Sequence, residues 1–372
     1  MNLQKIIFWT HFVVAVAVSV IVLMLSVTAV VLTYERQLTA WSHRKYQAPP
    51  TKSQTTPLSI DELLERVAVG EPEIALSAIT LRADPREPVA LNVGRGDYLY
   101  ASRYTGKLLN DGDGPMRRFL RSTMYWHRWF ALEGADRDFG RAITGAANLG
   151  FFLLLVSGVY LLWPRTWRWH SVRSIIIFRS DLKERARDLN WHNVIGFWLF
   201  VPLLIIVTSG LVISYGWAGD LVYRAVGEVP PVSISVRDVR TNVQTNHASI
   251  TPCSYQTLVE RVVETVPDWK SITLTVPETS VAPVVFTVDR SNGGQPSKRL
   301  DLTFSRLDCV AYVMGGYPTY SRGQKLRSWL RYAHTGEVYG FAGQTIAGVA
   351  SLGGVVLVWT GLAMAWRRFF RS

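Results

Sequence analysis

The chain has 372 residues, with 40 Lys and Arg against 28 Asp and Glu, a net charge of +12 and 48% hydrophobic residues. Length alone predicts two soluble domains, at roughly 150 residues each. Four stretches that lack Asp, Glu, Lys and Arg exclude an ordinary soluble enzyme, because a helix of about 20 apolar residues already crosses a bilayer core. These stretches are residues 6–34, 142–163, 193–219 and 338–366. The basic residues collect beside them, so the positive charge is not a nucleic-acid footprint.

The predicted fold class is therefore membrane α-helical, with four transmembrane helices. The short loop 164–191 holds seven basic residues against three acidic ones, and the tail 367–372 holds three arginines. Short basic loops stay in the cytoplasm, so we expect a multi-pass protein of a bacterial inner membrane with both termini inside. The first helix is too long for a typical signal peptide and is expected to be an uncleaved anchor. The predicted segments are TM1 6–34, periplasmic lobe 35–141, TM2 142–163, cytoplasmic loop 164–191, TM3 192–219, periplasmic lobe 220–337, TM4 338–366 and cytoplasmic tail 367–372.

Each outward segment has a helical pattern followed by alternating apolar runs, which predicts two small α+β lobes. The first lobe has a helix at 60–69 and strands at 74–81, 89–93 and 98–100, and an amphipathic approach helix precedes TM2. The second has a helix at 255–266 and strands at 272–276, 284–288, 300–304 and 309–313. Residues 48–57, rich in Thr, Pro, Ser and Gln, predict a linker. Cys253 and Cys309 either form a disulfide in an oxidising periplasm or remain free thiols.

The two halves of the chain repeat one pattern. In TM1 and TM3 a histidine is followed, seventeen residues later, by a hydroxyl residue and a small residue. TM2 and TM4 each carry a hydroxyl residue and a glycine near their cytoplasmic ends, and a histidine precedes each of these helices on the outer side. The matching residues are His11 with Thr28-Ala29, His192 with Ser209-Gly210, Ser157-Gly158 with Thr360-Gly361, and His127 with His334.

These four histidines are the candidate metal ligands. Each membrane face receives one histidine from each half, His11 with His192 and His127 with His334, an arrangement that suits a haem iron held between two neutral imidazoles. Ala15 and Gly196 lie one turn beyond His11 and His192 on the same helix face, where small residues leave room for the edge of a macrocycle.

Other interpretations of the histidines stay open. A lone histidine near the interface, or an aromatic belt around Trp126 and His127, needs no ligand. Zinc or copper is less favoured, because zinc takes three or four close ligands and no such spacing is present. His170 is an alternative ligand on the cytoplasmic side, whereas His43 and His247 have no repeat partner and are expected to be solvated.

Arginines accompany the outer histidines, Arg121 and Arg128 in one copy and Arg327 and Arg331 in the other. Arginine binds carboxylates with two parallel hydrogen bonds, so these side chains and Trp126 are candidates for holding a haem and its propionates. A basic face that meets anionic membrane lipid explains the same pattern equally well.

Three sequence patterns are Trp126-His127-Arg128, the helix pattern from Trp191-His192 through Gly196 to Ser209-Gly210, and His334-Thr335-Gly336. In these patterns the chain resembles the PepSY-associated transmembrane proteins. The resemblance covers nearly the whole chain and is strong in the helices, and the chain is most similar to the ferrisiderophore reductases of this family, the ferrioxamine reductases among them. It implies a four-helix protein with PepSY-like lobes and two bis-histidine b-type haems on His11, His192, His127 and His334. Ala29 departs from the glycine that the family usually has after Thr.

The resulting hypothesis is an inner-membrane enzyme that reduces a ferric siderophore. An unknown cytoplasmic or quinol donor would supply electrons to the inner haem, and the outer haem, with His127 and His334 as catalytic residues, would pass them to a ferric chelate docked against the lobes. No Gly-rich dinucleotide motif indicates a resident nicotinamide or flavin domain. Two alternatives are a PepSY-type regulatory or binding protein without redox activity, and a transporter for iron, haem or a siderophore.

Overall fold

The computed structural model describes residues 2–47, 56–70, 75–93, 98–109, 114–164, 166–231, 252–277, 279 and 282–370. The chain divides into two compact units. The helical unit comprises Met1–Arg36, Phe119–Gly227 and Leu326–Ser372, and the sheet unit comprises Gln37–Arg118 and Glu228–Lys325. Most of the predicted linker at 48–57 lies outside the described residues, as does His247.

The described residues form eleven α-helices and seven strands. The helices are α1 (Leu3–Thr33), α2 (Glu35–His43), α3 (Ile60–Gly70), α4 (Pro115–Trp129), α5 (Arg137–Leu162), α6 (Trp169–Ile176), α7 (Glu184–Ser214), α8 (Gly216–Ala225), α9 (Tyr255–Thr265), α10 (Arg322–His334) and α11 (Gly340–Phe370). The strands are β1 (Ala78–Arg82), β2 (Val89–Asn92), β3 (Tyr98–Ala101), β4 (Ser271–Thr275), β5 (Val284–Asp289), β6 (Arg299–Phe304) and β7 (Ala311–Gly316).

Four helices of the described residues, α1, α5, α7 and α11, are long and apolar enough to cross a membrane, as the uncharged stretches predict. α7 begins eight residues before the predicted start at 192 and ends at Ser214, where extended Tyr215 breaks the helix and α8 follows. Pro202 lies inside α7, and Gly353-Gly354 lies inside α11, and both helices continue through these residues. The chain is a multi-pass membrane α-helical protein.

The repeat is visible in how the four long helices pack. Glycines of α5 recur in α11 at an offset of 203 residues, and their partners in α1 recur in α7 at an offset of 181. A Cβ added at Gly145 would lie 3.0 Å from the Tyr215 hydroxyl, and one added at Gly348 would lie 3.1 Å from the Tyr34 hydroxyl. A tyrosine of each half thus packs against a glycine of the other half. Close backbone approach at small residues is how helices associate in lipid, where no hydrophobic force drives them together.

Two tight turns join the approach helices to the long helices. After α4 the chain passes through Phe130 and Ala131 with positive φ, and Gly140 then packs directly against the Trp129 carbonyl, 1.9 Å from where a Cβ would lie. After α10, Gly336 has a φ of +74°, and a Cβ on Gly343 would lie 2.2 Å from the Gly336 carbonyl oxygen. The two turns therefore fix where α4 and α10 end relative to α5 and α11.

The sheet unit contains one antiparallel sheet of seven strands in the order β3-β2-β1-β4-β5-β6-β7. The sequence predicts two separate α+β lobes, and the structure corrects this, because β1 of the first segment pairs with β4 of the second from Ala78↔Thr275 to Arg82↔Ser271. Alternate residues of the strands and the apolar faces of α3 and α9 share one buried core. Merging the segments buries an edge that each lobe would otherwise expose.

Cys253 and Cys309 form a disulfide within the sheet unit. The sequence left this pairing open. The bridge connects the segment before α9 to the turn before β7, and Arg306 donates to the Cys253 carbonyl at 2.9 Å beside it. The disulfide therefore closes the second half of the sheet unit on itself.

The turn after α4 gives a stability prediction. Gly140→Ala should lower the free energy of unfolding by about 1–3 kcal/mol, because the new methyl group would overlap the Trp129 carbonyl. Denaturant titration of the detergent-solubilised protein measures this. Gly216→Ala at the start of α8 is the control, since a Cβ there meets nothing within 4 Å. Equal stability of the two variants would show that the close approach at Gly140 does not constrain the bundle.

Candidate metal centre in the helix bundle

Each of the four repeat histidines forms a hydrogen bond from its Nδ1 to a hydroxyl on a neighbouring helix. In what we call the first level, the Nδ1 of His11 on α1 lies 2.8 Å from Ser157 Oγ on α5, and the Nδ1 of His192 on α7 lies 2.9 Å from Thr360 Oγ1 on α11. The two imidazoles also interact electrostatically with each other. The first level therefore joins all four long helices.

The second level repeats the arrangement seventeen residues further along α1 and α7. The Nδ1 of His127 on α4 lies 2.8 Å from Thr28 Oγ1, and the Nδ1 of His334 on α10 lies 3.1 Å from Ser209 Oγ. His334 Nδ1 also lies 2.9 Å from the Ile206 carbonyl oxygen. Seventeen residues of helix rise about 26 Å, so the two levels lie near opposite ends of the span.

The hydrogen bonds favour a proton on Nδ1 of each ring. Each hydroxyl has one hydrogen and lies within bonding distance of a carbonyl of its own helix, as Thr28 does to Met24 at 2.7 Å and Thr360 to Val356 at 2.8 Å. With its hydrogen donated there, the hydroxyl accepts from the histidine. At His334 the Ile206 carbonyl can only accept, which requires a proton on Nδ1. Nδ1–H in every ring leaves Nε2 with a free lone pair, the form that binds a metal.

The small residue after each hydroxyl lies beside the histidine ring. A Cβ added at Gly158 would lie 3.6 Å from His11 Cε1, and one at Gly361 would lie 3.7 Å from His192 Cε1. At Gly210 the space is tighter, with His334 Cε1 at 3.3 Å and Asn148 Nδ2 at 2.9 Å. A side chain at Gly210 would displace the ring or the Asn148 amide, which donates to the Val207 carbonyl at 3.0 Å.

The second level brings two imidazoles together at a separation that suits one metal ion. The ring centroids of His127 and His334 are 6.2 Å apart, and the ring planes are inclined by 58°. A metal–imidazole bond is about 2.0–2.1 Å long and a ring nitrogen lies about 1.1 Å from the ring centre, so two axial imidazoles have centres roughly 6.3 Å apart. In the described residues no group of three or more His, Cys, Asp and Glu could hold a metal ion. The geometry thus fits a metal that brings its own equatorial ligands.

Gly196 and Ala15, the residues predicted to lie beside a macrocycle, have different surroundings. Gly196 has room, since a Cβ there would meet only Leu357, at 3.8 Å. Ala15 is half-buried on α1. Thr360 of the first level, Trp191 and Asp188 are among the residues that line a cavity of about 310 Å³. Asp188 is buried and paired with Arg187 at 3.0 Å and with Arg367, which ties the start of α7 to the end of α11. The sequence analysis did not identify Asp188, although it precedes His192 by one helical turn.

Cations and unpaired donors surround the second level. The pKa of Arg128 is lowered, first by burial and then by the positive charges of Arg331 and Arg141. Buried Nε1 of Trp129 and buried Nε of Arg137 have no hydrogen-bond partner among the described residues. Buried donors without acceptors are uncommon in folded proteins, and cations that repel one another favour a bound anion. A carboxylate such as a haem propionate would suit these donors.

The other predicted arginines lie at the surface. Arg121 and Arg327 are exposed, and Arg327 lies near Gly219, 3.9 Å from where a Cβ would be. Trp126 is exposed and packs edge-on against Phe130 with ring centroids 5.7 Å apart. Their proposed contact with a cofactor stays a prediction. Arg137 is the residue that the sequence missed, and its position on the first turn of α5 after a Trp-rich helix is the signal that could have identified it.

Two other histidines have clear positions. His170 on α6 is exposed, whereas His11 and His192 both have hydroxyl partners, so the alternative ligand loses support. His43 is not solvated as expected. Its ring is half-buried and lies 4.2 Å from the ring of Tyr100 in the sheet unit.

The hydroxyl network gives a second stability prediction. Thr28→Val should lower the free energy of unfolding by about 0.5–1.5 kcal/mol, because the His127 Nδ1–H loses its hydroxyl acceptor. Thr28→Ser keeps the hydroxyl and should restore most of this loss. Thr345→Val is the matched control, since exposed Thr345 donates to the carbonyl four residues earlier but has no histidine partner. Denaturant titration in detergent compares the three variants, and a Thr28→Val protein as stable as the Thr345→Val protein would contradict the assigned bond.

Comparison with known proteins places this architecture in a family. No protein of curated function matches the chain. A family model described as the PepSY-associated TM region matches residues 8–368, which include the four long helices, both histidine levels and the whole sheet unit. The chain therefore belongs to the PepSY-associated transmembrane family.

Proposed function

We propose that this protein is a transmembrane ferric-chelate reductase that carries two b-type haems, one at each histidine level. The observation that carries the proposal is the 6.2 Å separation of the His127 and His334 rings, combined with Nδ1 hydrogen bonds that leave Nε2 available. A haem held by two imidazoles would supply one-electron transfer. A ferrisiderophore is the proposed substrate, since reduction to the softer ferrous ion weakens its hold by hard oxygen donors.

The residues of this chain have separate roles in such a site. His11, His192, His127 and His334 are the proposed axial ligands. The hydroxyls of Ser157, Thr360, Thr28 and Ser209 accept from Nδ1, which fixes the ring orientation and makes Nε2 a stronger donor. The apolar helices exclude water from both levels, and Arg128, Arg331 and Arg137 would neutralise carboxylates at the second level.

The proposed orientation places the second level outside. The first level lies near the ends of the long helices that carry basic residues. These residues include Arg173 and Arg179 between α5 and α7, and Arg367-Arg368 at the end of α11. Because short basic segments remain in the cytoplasm, the first level would face the cytoplasmic side of a bacterial inner membrane. A quinol or a reduced cytoplasmic protein would supply the electron there, and the ferric chelate would accept it at the periplasmic side.

A regulatory binding protein and an iron or siderophore transporter remain the alternatives. Both leave the four Nε2 atoms without a role. The haem content of purified protein separates the reductase from both.

The pairing of ligands gives the third prediction. Purified protein should contain about two low-spin haems per chain. His127→Ala and His334→Ala should each remove the same haem, about half of the total, and His11→Ala and His192→Ala should each remove the other. Pyridine haemochrome assay and low-temperature spectra of the two haem signals measure this. His170→Ala is the control and should keep both haems. A colourless wild-type protein, or loss of one common haem in His11→Ala and His127→Ala, would contradict the assignment.

The reaction gives the fourth prediction. Dithionite-reduced protein should be reoxidised by a ferric siderophore without oxygen, and a ferrous-specific chelator should trap the product. His334→Ala should abolish this reduction while the first-level spectrum persists, because the electron then has no outer acceptor. Right-side-out membrane vesicles should reduce a membrane-impermeant ferric chelate added outside, and inverted vesicles should not. Reduction by His334→Ala at the parent rate, or reduction only by inverted vesicles, would contradict the proposed route.

A further inference from the structure

The sheet unit contains a second group of chemically active side chains, none of which is a proposed haem ligand. It lies on the face of the sheet opposite the buried core. Along β3, Leu99 and Ala101 are buried in the core, so Tyr98 and Tyr100 point to the other face. Thr80 of β1 pairs with Ala90 of β2, and Ala90 pairs with Tyr100 of β3, so Thr80 and Tyr100 lie on the same face of the sheet. Arg82, two residues after Thr80, lies on this face too. We call His43, Lys45, Tyr46, Arg82, Tyr100 and Arg117 the β3 face cluster.

Aromatic rings cover this face of the sheet. The end of α2 and the turn after it place His43 4.2 Å from Tyr100, and Tyr46 lies nearly parallel to Tyr100 with centroids 6.0 Å apart. Burial raises the pKa of Tyr100 to about 12, so its phenol keeps the proton at neutral pH. Burial, together with Arg82, Arg117 and Lys45, lowers the pKa of His43 to about 4, so the imidazole is uncharged. These groups can hydrogen-bond but add no charge.

The charge of the cluster comes from three cations. Arg117 stacks on the Tyr98 ring at 4.8 Å, and Lys45 lies 4.8 Å from the centre of the Tyr46 ring. Arg82 acts electrostatically on both His43 and Tyr100. The carboxylate that acts on Tyr100 is Glu87, which accepts from Gln47 at 2.5 Å. Among the described residues that act on His43 and Tyr100, three cations therefore face one carboxylate.

One donor in the cluster lacks an acceptor. The Nε of Arg117 is buried and has no hydrogen-bond partner in the part of the chain that the structure describes. A buried guanidinium nitrogen without a partner loses its hydration and gains nothing in return. A site with this orphaned donor, neighbouring cations and flat aromatic rings is complementary to an anion that has an aromatic face.

We propose that the β3 face cluster binds the ferric chelate through charge and ring stacking, and that it selects anionic, catecholate-type chelates over neutral hydroxamates. Catecholate oxygens would accept from the Arg117 and Arg82 guanidinium groups, and the catechol rings would stack on the tyrosines. The ligand in this inference rests on the proposed function, whereas the site rests only on residues of the sheet unit.

Binding of redox-inert gallium chelates to the full-length protein tests this site without any electron transfer. The probes are the Ga(III) complex of a hexadentate tricatecholate, with a net charge of minus three, and the Ga(III) complex of a hexadentate trihydroxamate, which is neutral. Isothermal titration calorimetry in detergent at two salt concentrations should show the tricatecholate binding at least about ten-fold more tightly. No binding of the tricatecholate, or equal affinity for both chelates, would overturn the inference.

Matched variants separate a built site from a general effect of charge. Arg117→Gln and the exposed Arg82→Gln should each weaken tricatecholate binding about ten-fold or more, the loss expected for a hydrogen bond to a charged group. Arg261→Gln is the control, since exposed Arg261 lies on α9, against the opposite face of the sheet, and forms only a surface pair with Glu264 at 3.5 Å. An equal loss in Arg261→Gln would overturn the inference. Arg82→Gln keeps the test valid if Arg117→Gln fails to fold.

The outcome is independent of the proposed reductase activity. A colourless protein that binds the gallium tricatecholate through Arg117 would refute the haem proposal and support the β3 face cluster. A red protein that reduces ferric tricatecholate with the same KM in the parent and in Arg82→Gln would refute the cluster and leave the reductase proposal intact.

Discussion

The hydrogen bond from an imidazole Nδ1–H to a hydroxyl on another helix is the interaction on which the helical unit depends. Burying a polar ring in an apolar bundle costs free energy unless its nitrogens have hydrogen-bond partners or bind a metal. The four bonds join different pairs of helices: α1 with α5, α7 with α11, α4 with α1, and α10 with α7. The bundle is therefore held in register by the same side chains that would hold the proposed haems. Ligand placement and helix packing cannot be changed separately.

Glycine lies at two kinds of contact in the bundle. Next to the hydroxyls, a Cβ at Gly210 would lie 3.3 Å from His334 Cε1, whereas at Gly158 and Gly361 a Cβ would meet the histidine ring at an ordinary contact distance. Elsewhere on α5 and α11, Gly145 and Gly348 accept a tyrosine from the other half of the chain. Both uses recur at a constant offset, as expected if the two halves pack around a pseudo-twofold axis. Ala29 shows that alanine is accepted at this position, since the Thr28 hydroxyl lies as close to His127 as the hydroxyls of the other positions lie to their rings.

The sequence predicted the elements that obey a local rule. Uncharged length identified the four spans, alternation identified all seven strands to within a few residues, and the repeat identified the four histidines. It could not predict that β1 would pair with β4, because strand pairing across 190 residues depends on which edges meet in space. It also treated Ser157, Thr360, Thr28 and Ser209 only as parts of a pattern, since a hydroxyl in an apolar helix usually bonds its own backbone. His43 was misjudged because its partner, Tyr100, lies on a distant strand.

The two levels differ in the charges beside them, and the difference bears on the direction of electron flow. At the first level, Asp188 lies four residues before His192, on the same helix face, and compensates Arg187 and Arg367. At the second level Arg331 and Arg141 lie close enough to Arg128 to disfavour its positive charge, and Arg141 pairs with the exposed Asp138 at 3.6 Å. Positive charge stabilises the reduced state of a nearby iron more than the oxidised state. A chain with this charge distribution would favour electrons at the second level, which is the direction required for reducing a chelate on that side.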